Sequence, residues 1–265
     1  MNRYLTVCAI FRDEAPYLAE WVEFHRLVGA EHFYLYDNRS ADEYRAVLEP
    51  YVQDGLVTVH DWPPHPGQGP AYDDCLQRHG ADSRWIAFID LDEFLFSPTG
   101  RPLPELLVDY EQWPALGVNR VNFGTSGHRQ PPPGLVIESY VWKFRQITSI
   151  KSIVDPSRAE RHRNPHAFYY AGEAQAVDEN KEPIEKWFPG KVTFERFQIN
   201  HYLTKSEEEY ALKLTRERAD SGELRDWDRD ATKLTGKVKD EAITIYVPEL
   251  RKALADRGYP MRSSR

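Results

Sequence analysis

An α/β fold with a mainly parallel central sheet is predicted for this 265-residue chain by three features. Short apolar runs that suit buried strands alternate with segments whose apolar residues recur at helical spacing. The connections between strands are long enough to be crossovers, which implies a three-layer, Rossmann-like architecture with helices on both faces. Four successive strands close in carboxylates, so one end of an otherwise apolar sheet is polar.

Residues 4–11 form a buried strand ended by Arg12, Asp13 and Glu14. A helix follows, with Pro16 near its start, Leu18, Trp21, Val22, His25 and Val28 at helical spacing, and Gly29 as its stop. Residues 32–36 are the second strand. Ser40-Ala41-Asp42-Glu43 has the form of a capping box opening a helix through Tyr51, and residues 56–60 make a third strand after the Asp54-Gly55 turn. Beyond the proline- and glycine-rich loop 62–70, a helix over 71–79 leads to the fourth strand, 85–89. From Val118 the alternation degrades. Strands are expected at 118–123, 135–144 and 192–199, with the sheet continuing in mixed orientation. Ser206 and Glu209 form a second capping box for a helix over 205–221 that Gly222 follows, another helix spans 239–257, and the tail 258–265 lacks periodicity.

Composition narrows the function. The 41% hydrophobic, 29% charged and 13% aromatic content is that of a folded globular protein and excludes disordered or collagenous chains. Basic residues number 34 against 42 acidic, so the net charge of −8 gives no general attraction to nucleic acid or to an anionic membrane. Cys8 and Cys75 cannot build a disulfide framework or a four-thiolate zinc site, which favours a reducing, cytoplasmic location. No transmembrane segment or signal peptide is visible, so any membrane association is expected to be peripheral and through a partner. The triplet Asn38-Arg39-Ser40 is read as a turn rather than a glycosylation acceptor.

In a doubly wound sheet, ligands bind beyond the carboxyl ends of the strands. Those ends carry Arg12-Asp13-Glu14, Asp37-Asn38, Asp61-Trp62 and Asp90-Leu91-Asp92-Glu93. No Gly-x-Gly-x-x-Gly, no P-loop and no Gly-x-Ser-x-Gly is present to cradle a dinucleotide, hold phosphates or present a serine. Asp90 and Asp92 can instead face a hard divalent cation, magnesium or manganese, whose remaining positions go to diphosphate oxygens and water. The competing structural role is helix capping, or pairing with Arg84 or Arg101. The series Asp226-x-Asp228-x-Asp230 imitates a calcium loop but has Ala231 where glycine is needed and Lys237 where the bidentate glutamate is needed.

Three blocks are more specific than any one Asp-x-Asp. They are Phe11-Arg12-Asp13-Glu14-Ala15-Pro16-Tyr17-Leu18-Ala19-Glu20-Trp21-Val22-Glu23-Phe24-His25, Tyr36-Asp37-Asn38-Arg39-Ser40, and Trp85-Ile86-Ala87-Phe88-Ile89-Asp90-Leu91-Asp92-Glu93-Phe94. With Phe123-Gly124-Thr125-Ser126-Gly127-His128, Lys151-Ser152-Ile153-Val154 and Asn200-His201-Tyr202-Leu203-Thr204-Lys205-Ser206, they resemble the GT-A glycosyltransferases of the family 92 type and their family 2-like bacterial relatives. The likeness runs to about Lys213 and departs at Asp13, where relatives usually carry Asn.

The resemblance implies a GT-A domain over 1–222, with a nucleotide-binding half at 1–96 and an acceptor half at 97–222, followed by a C-terminal helical extension at 223–265. It implies metal-dependent transfer of a sugar, with inversion, from a nucleotide-sugar donor to a hydroxyl of a glycan or glycoconjugate, as in polysaccharide biosynthesis. The donor is expected to be a UDP-sugar. Asp90 and Asp92 would hold Mn2+ or Mg2+, with His201 as further ligand and His166 as second choice. Phe11, Asp13, Asp37, Asp61, Gln68, Asp90 and Leu91 would line the donor nucleotide. Glu138, Asp155 and Glu173 are candidates for the base, Lys151 and Lys205 for diphosphate contacts, and Trp62, Tyr72, Trp142, Phe168, Tyr169 and Tyr170 for sugar-stacking surfaces. A metal-dependent nucleotidyltransferase and a non-catalytic sugar-binding scaffold are the alternative functions.

Overall fold

The computed structural model describes residues 3–172, 174–185, 188, 191–225 and 234–259. Glu173, the series Asp226-x-Asp228-x-Asp230 and the tail 260–265 lie outside the described residues. The first half alternates as expected: β1 (Arg3–Phe11), α1 (Ala15–Leu27), β2 (His32–Asp37), α2 (Tyr44–Gln53), β3 (Val57–Asp61), α3 (Gln68–His79) and β4 (Ser83–Phe88). There follow β5 (Glu93–Phe96), α4 (Leu103–Leu107), β6 (Ala115–Phe123), α5 (Val136–Ser139), β7 (Trp142–Val154), β8 (Ala159–Asn164), β9 (Ala167–Tyr170), β10 (Gln198–His201), α6 (Glu207–Leu214), β11 (Val238–Lys239) and α7 (Val247–Asp256).

The main sheet runs β3-β2-β1-β4-β7-β6-β10-β5, with β11 added beside β7, while β8 and β9 form a separate hairpin. β1 to β4 are mutually parallel, and β7 turns antiparallel to both β4 and β6. The two-residue period of a strand sorts the core into two faces. Leu5, Val7, Ala9 and Phe11 of β1, Phe33 and Leu35 of β2, and Trp85 and Ala87 of β4 pack with Leu18, Trp21 and Phe24 of α1 and Leu48 of α2. Cys8, Ile10, Tyr34, Tyr36, Ile86 and Phe88 take the opposite face with Ala71, Tyr72 and Cys75 of α3. Helices on both faces give the expected three-layer α/β architecture. Leu250 and Leu254 of α7, within the expected extension, enter the first core.

Tertiary contacts override four sequence expectations. Ser40 does not cap α2, because its hydroxyl accepts from the Asp13 amide at 2.9 Å, and Asp42 caps α1 by accepting from the Ala15 amide at 2.7 Å. With those side chains spent on the loop after β1, α2 starts only at Tyr44. The strand expected at 135–144 is the short helix α5 followed by β7, and within 192–199 only the last two residues join a strand, β10. The Ser206–Glu209 capping box forms, but α6 stops at Leu214 because Arg225 donates to the carbonyls of Lys213 and Arg216, at 3.2 and 2.8 Å, and closes the helix end. Among the described residues, no helix is long and apolar enough to cross a membrane.

Candidate functional site

Strand order reverses at β1: β2 and β3 extend to one side and β4 lies on the other. A topological switch point therefore falls between β1 and β4, where a crevice is expected beyond the carboxyl ends. A cavity of ≈ 380 Å³ lies there, lined by Phe11, Arg12 and Glu14 after β1 and by Asp90, Leu91 and Asp92 after β4. His166, His201, Gln68, Asn38, Arg120 and Asn122 complete its floor. Lys213, Arg216, Arg218 and Arg225 supply its far wall.

That wall exists because α6 ends early. Residues 215–225 turn back over the cavity, with Glu217 bridged to Leu224. The Ala219 carbonyl accepts from the amides of Gly67 and Gln68 at 2.9 and 3.0 Å, and His65 pairs with Glu217 at 2.8 Å. These contacts also use the first amides of α3, so positive charge reaches the cavity through side chains rather than a helix terminus.

The Asp-x-Asp carboxylates face the cavity and are held by lysines rather than by arginines. Asp90 Oδ1 accepts from Lys151 Nζ at 2.8 Å and Gln68 Nε2 at 2.7 Å. Asp92 Oδ2 accepts from Lys213 Nζ at 2.6 Å and lies 3.4 Å from His201 Nε2. Burial raises both carboxyl pKa values, but the cations outweigh it. Lys151 brings Asp90 below the ordinary carboxylate value despite the opposing charge of Asp92, and Lys213 brings Asp92 well below it. Each side chain keeps an exposed portion, 30% for Asp90 and 14% for Asp92, so neither is sealed in the interior.

Glu93 anchors this arrangement from beneath. Fully buried, it bonds Arg120 at 2.9 Å, lies 3.6 Å from Lys151 and accepts from the Asp90 amide at 2.9 Å. Lys151 itself is only 1% exposed, so its charge is shared between Asp90 and Glu93 and not with solvent.

The imidazoles are neutral. Burial lowers His201 below its ordinary value in spite of Asp92, and burial with Lys151 and Arg120 pushes His166 down to about 3. His201 Nδ1 lies 2.7 Å from Asn122 Oδ1, which makes it the protonated nitrogen and leaves the Nε2 lone pair toward Asp92. Two acceptors facing each other at 3.4 Å are relieved by a cation between them. Two carboxylates and one neutral imidazole suit Mn2+ or Mg2+ as a donor set. Among the described residues, no three such side chains already stand at closed metal-ligand spacing, because lysines engage the carboxylates.

Other expected site residues divide. Phe11, Gln68, Asp90, Leu91, Asp92, His166 and His201 meet in the cavity. Asp37 sits beside it, but its oxygens are taken by the Ser40 amide at 2.9 Å and the Tyr44 hydroxyl at 2.8 Å, and Asn38 lines the wall instead. Asp61 is turned to solvent, 70% exposed, against Arg45. Asp13 lies outside the nucleotide-side cavity, in a second one described below. Of the base candidates, Glu138 caps α5 and pairs with Arg251 at 2.7 Å, whereas Asp155 is buried against Arg84 at 2.7 Å, and neither lines a cavity. Tyr72 and Phe168 stack in the core with Phe88, so they present no sugar platform. Lys213, Arg216 and Arg218 escape the sequence reading because a helix is expected over 205–221, where lysines and arginines read as solvated, and Arg225 lies beyond that helix with no local signal.

A glycosyltransferase family 92 protein of Oryza sativa subsp. japonica is 32% identical over 156 residues, which are 57% of this chain and 27% of that protein. A galactan beta-1,4-galactosyltransferase of Arabidopsis thaliana is 29% identical over 114 residues, 39% of this chain and 22% of its own length. Among solved structures, S. aureus TarS 1–349 in complex with UDP aligns with a TM-score of 0.42 and 13% identity, over 58% of this chain and 47% of that one. This chain thus spans under a third of the length of the plant relatives it matches. The profile of glycosyltransferase family 92 matches residues 3–235. That stretch takes in every cavity residue named above, and on it the chain belongs to glycosyltransferase family 92.

Proposed function

We propose that this chain transfers a hexosyl group from a UDP-sugar to a hydroxyl of a glycan or glycoconjugate, with inversion and with a divalent metal ion. The observation that carries the reading is the convergence of Asp90, Asp92 and His201 with Lys213, Arg216, Arg218 and Arg225 in one switch-point cavity. In glycosyl transfer the sugar–phosphate bond breaks and negative charge grows on the departing diphosphate, so prearranged positive charge lowers the barrier. The four basic side chains of the far wall are placed to bind the diphosphate, and Gln68 and Asn38 are the polar groups available to the nucleoside. Asp90, Asp92 and His201 are the residues that would hold Mn2+ or Mg2+, and the ion, when bound, supplies Lewis-acid stabilisation of the diphosphate. Family membership and the galactan galactosyltransferase relative support a hexosyl donor and a glycan acceptor.

Thermal melting with UDP, with and without Mn2+, tests the reading. Ligand at a hundred times its Kd is expected to stabilise the native state by about 2.7 kcal/mol, and the full shift should need both components. Asp92→Ala is expected to remove the metal-dependent part while leaving the fold. Absence of a shift with any nucleotide refutes the proposal.

A further inference from the structure

A second cavity of ≈ 410 Å³ adjoins the first. Its walls include Tyr17 at the start of α1, Pro131 and Pro132 from the loop after β6, and Leu212 on α6. The two cavities share Glu14, Asp92, Leu203, Lys213 and Arg216, so these residues form a common wall. If the diphosphate lies among the basic residues of the first cavity, the anomeric carbon sits at that wall and the acceptor enters from the second.

An inverting displacement needs a carboxylate that faces the acceptor side and has an oxygen to spare. The acids of the second cavity can be sorted by that criterion. Asp13 Oδ1 accepts from the Ala41 amide at 2.7 Å, and its other oxygen faces Arg216 at 3.6 Å. Glu209 is spent on the hydroxyls of Tyr17, Tyr140 and Ser206 and on the Ser206 amide. Asp92 gives Oδ2 to Lys213 and is the carboxylate assigned above to the metal ion. Glu208 lines the second cavity only and does not reach the common wall.

Glu14 differs from all of them. Its backbone is fixed at the head of α1, where its carbonyl accepts the amides of Tyr17 and Leu18 at 2.9 and 3.2 Å. Its Oε2 is steadied by Lys205 Nζ at 3.0 Å, and Lys205 in turn rests over the Tyr17 ring. Oε1 has no hydrogen-bond partner among the described residues, and the side chain borders both cavities.

Resting on the proposed transfer reaction, we infer that Glu14 is the catalytic base and that the second cavity receives the acceptor. In this step Glu14 Oε1 takes the proton of the acceptor hydroxyl while the acceptor oxygen bonds to the anomeric carbon. The bond from that carbon to the diphosphate oxygen breaks, and its electron pair leaves with the nucleoside diphosphate. The products are the glycoside, the nucleoside diphosphate and the proton on Glu14, which passes to solvent.

Glu14→Gln in the full chain tests this, with UDP binding followed by calorimetry and transfer followed by release of UDP from a UDP-hexose. General-base loss predicts a kcat about 10²- to 10⁴-fold lower with the UDP Kd changed less than about threefold. The deficit should shrink when an aliphatic hydroxyl acceptor is replaced by a more acidic phenol or thiol, whose proton leaves more readily and so depends less on an enzymic base. A merely structural Glu14 would not show that dependence on acceptor acidity. The inference is overturned if the variant keeps kcat within tenfold, or if its deficit is the same for alcohol and phenol acceptors. If wild type binds UDP and transfers while the variant does too, only the base assignment falls. If wild type neither binds UDP nor transfers, the proposed function falls and the base assignment with it.

Discussion

Replacing Glu93 by Gln removes a buried acid that serves two buried cations, Arg120 and Lys151. At an effective dielectric of about 20, a unit charge 2.9 Å away, as for Arg120, attracts by roughly 6 kcal/mol, and one at 3.6 Å, as for Lys151, by roughly 5 kcal/mol. Desolvation of all three groups offsets much of that sum, and removing one partner of a buried pair costs about 3–5 kcal/mol. Gln keeps the volume and an acceptor for the Asp90 amide, so the loss reports the charge. We expect Glu93→Gln to lower the free energy of unfolding in urea by about 3–5 kcal/mol, a large share of the 5–15 kcal/mol typical of a domain. Glu105→Gln, which breaks the exposed pair with Arg101, serves as the control and should cost under about 0.5 kcal/mol. A Glu93→Gln loss below about 1 kcal/mol at unchanged m-value would refute the view that this network fixes Asp90 from beneath.

Two further predictions concern packing and pH. His25 is wholly buried, lies 2.8 Å from the Trp21 carbonyl through Nδ1 and accepts from the Leu95 amide through Nε2, and burial pushes its pKa down to about 3. Its native pKa lies below the ordinary value of 6.5, so the unfolded chain binds the extra proton; stability should fall as pH drops from about 6.5 toward 3, by up to about 1.4 kcal/mol per pH unit. Urea midpoints between pH 7 and 5 measure this, and His25→Gln should flatten the slope by about one proton; an unchanged slope contradicts the assignment. A Cβ at Gly69 would clash with His162 Nε2, and His162 is pinned to Asp73 at 2.8 Å, so Gly69→Ala should cost about 1–3 kcal/mol. Adding His162→Ala should return part of that loss, and equal melting of the single and double variants would sink the explanation.

The parallel half of the sheet was legible because its signals are local. A strand buried on both faces shows itself as an unbroken apolar run, and β1, β2, β3 and β4 lie within two residues of their expected ends. Asp90 and Asp92 were legible by the rule that ligands sit past strand ends at a switch point. What stayed hidden depends on partners that no local pattern announces, most of them distant. Asp37 looked like a ligand-binding acid, yet Tyr44 and Ser40, within seven residues, consume it. β5 directly follows the Asp-x-Asp loop and becomes a strand only because β10, a hundred residues later, lies antiparallel to it. The arginine-bearing wall over the cavity required α6 to end at Leu214, and the residue that ends it is Arg225, beyond any helix-stop signal.

The bolt between the first two strand-end loops does not depend on a charge at position 13. Asp13 touches the neighbouring loop with backbone-directed contacts: its amide gives a proton to Ser40, and its Oδ1 takes one from the Ala41 amide. An asparagine carbonyl oxygen would fill that second duty equally well. Aspartate and asparagine are therefore interchangeable at the joint, and differ only in the charge shown to Arg12 and Arg216, which lie 3.8 and 3.6 Å from Asp13.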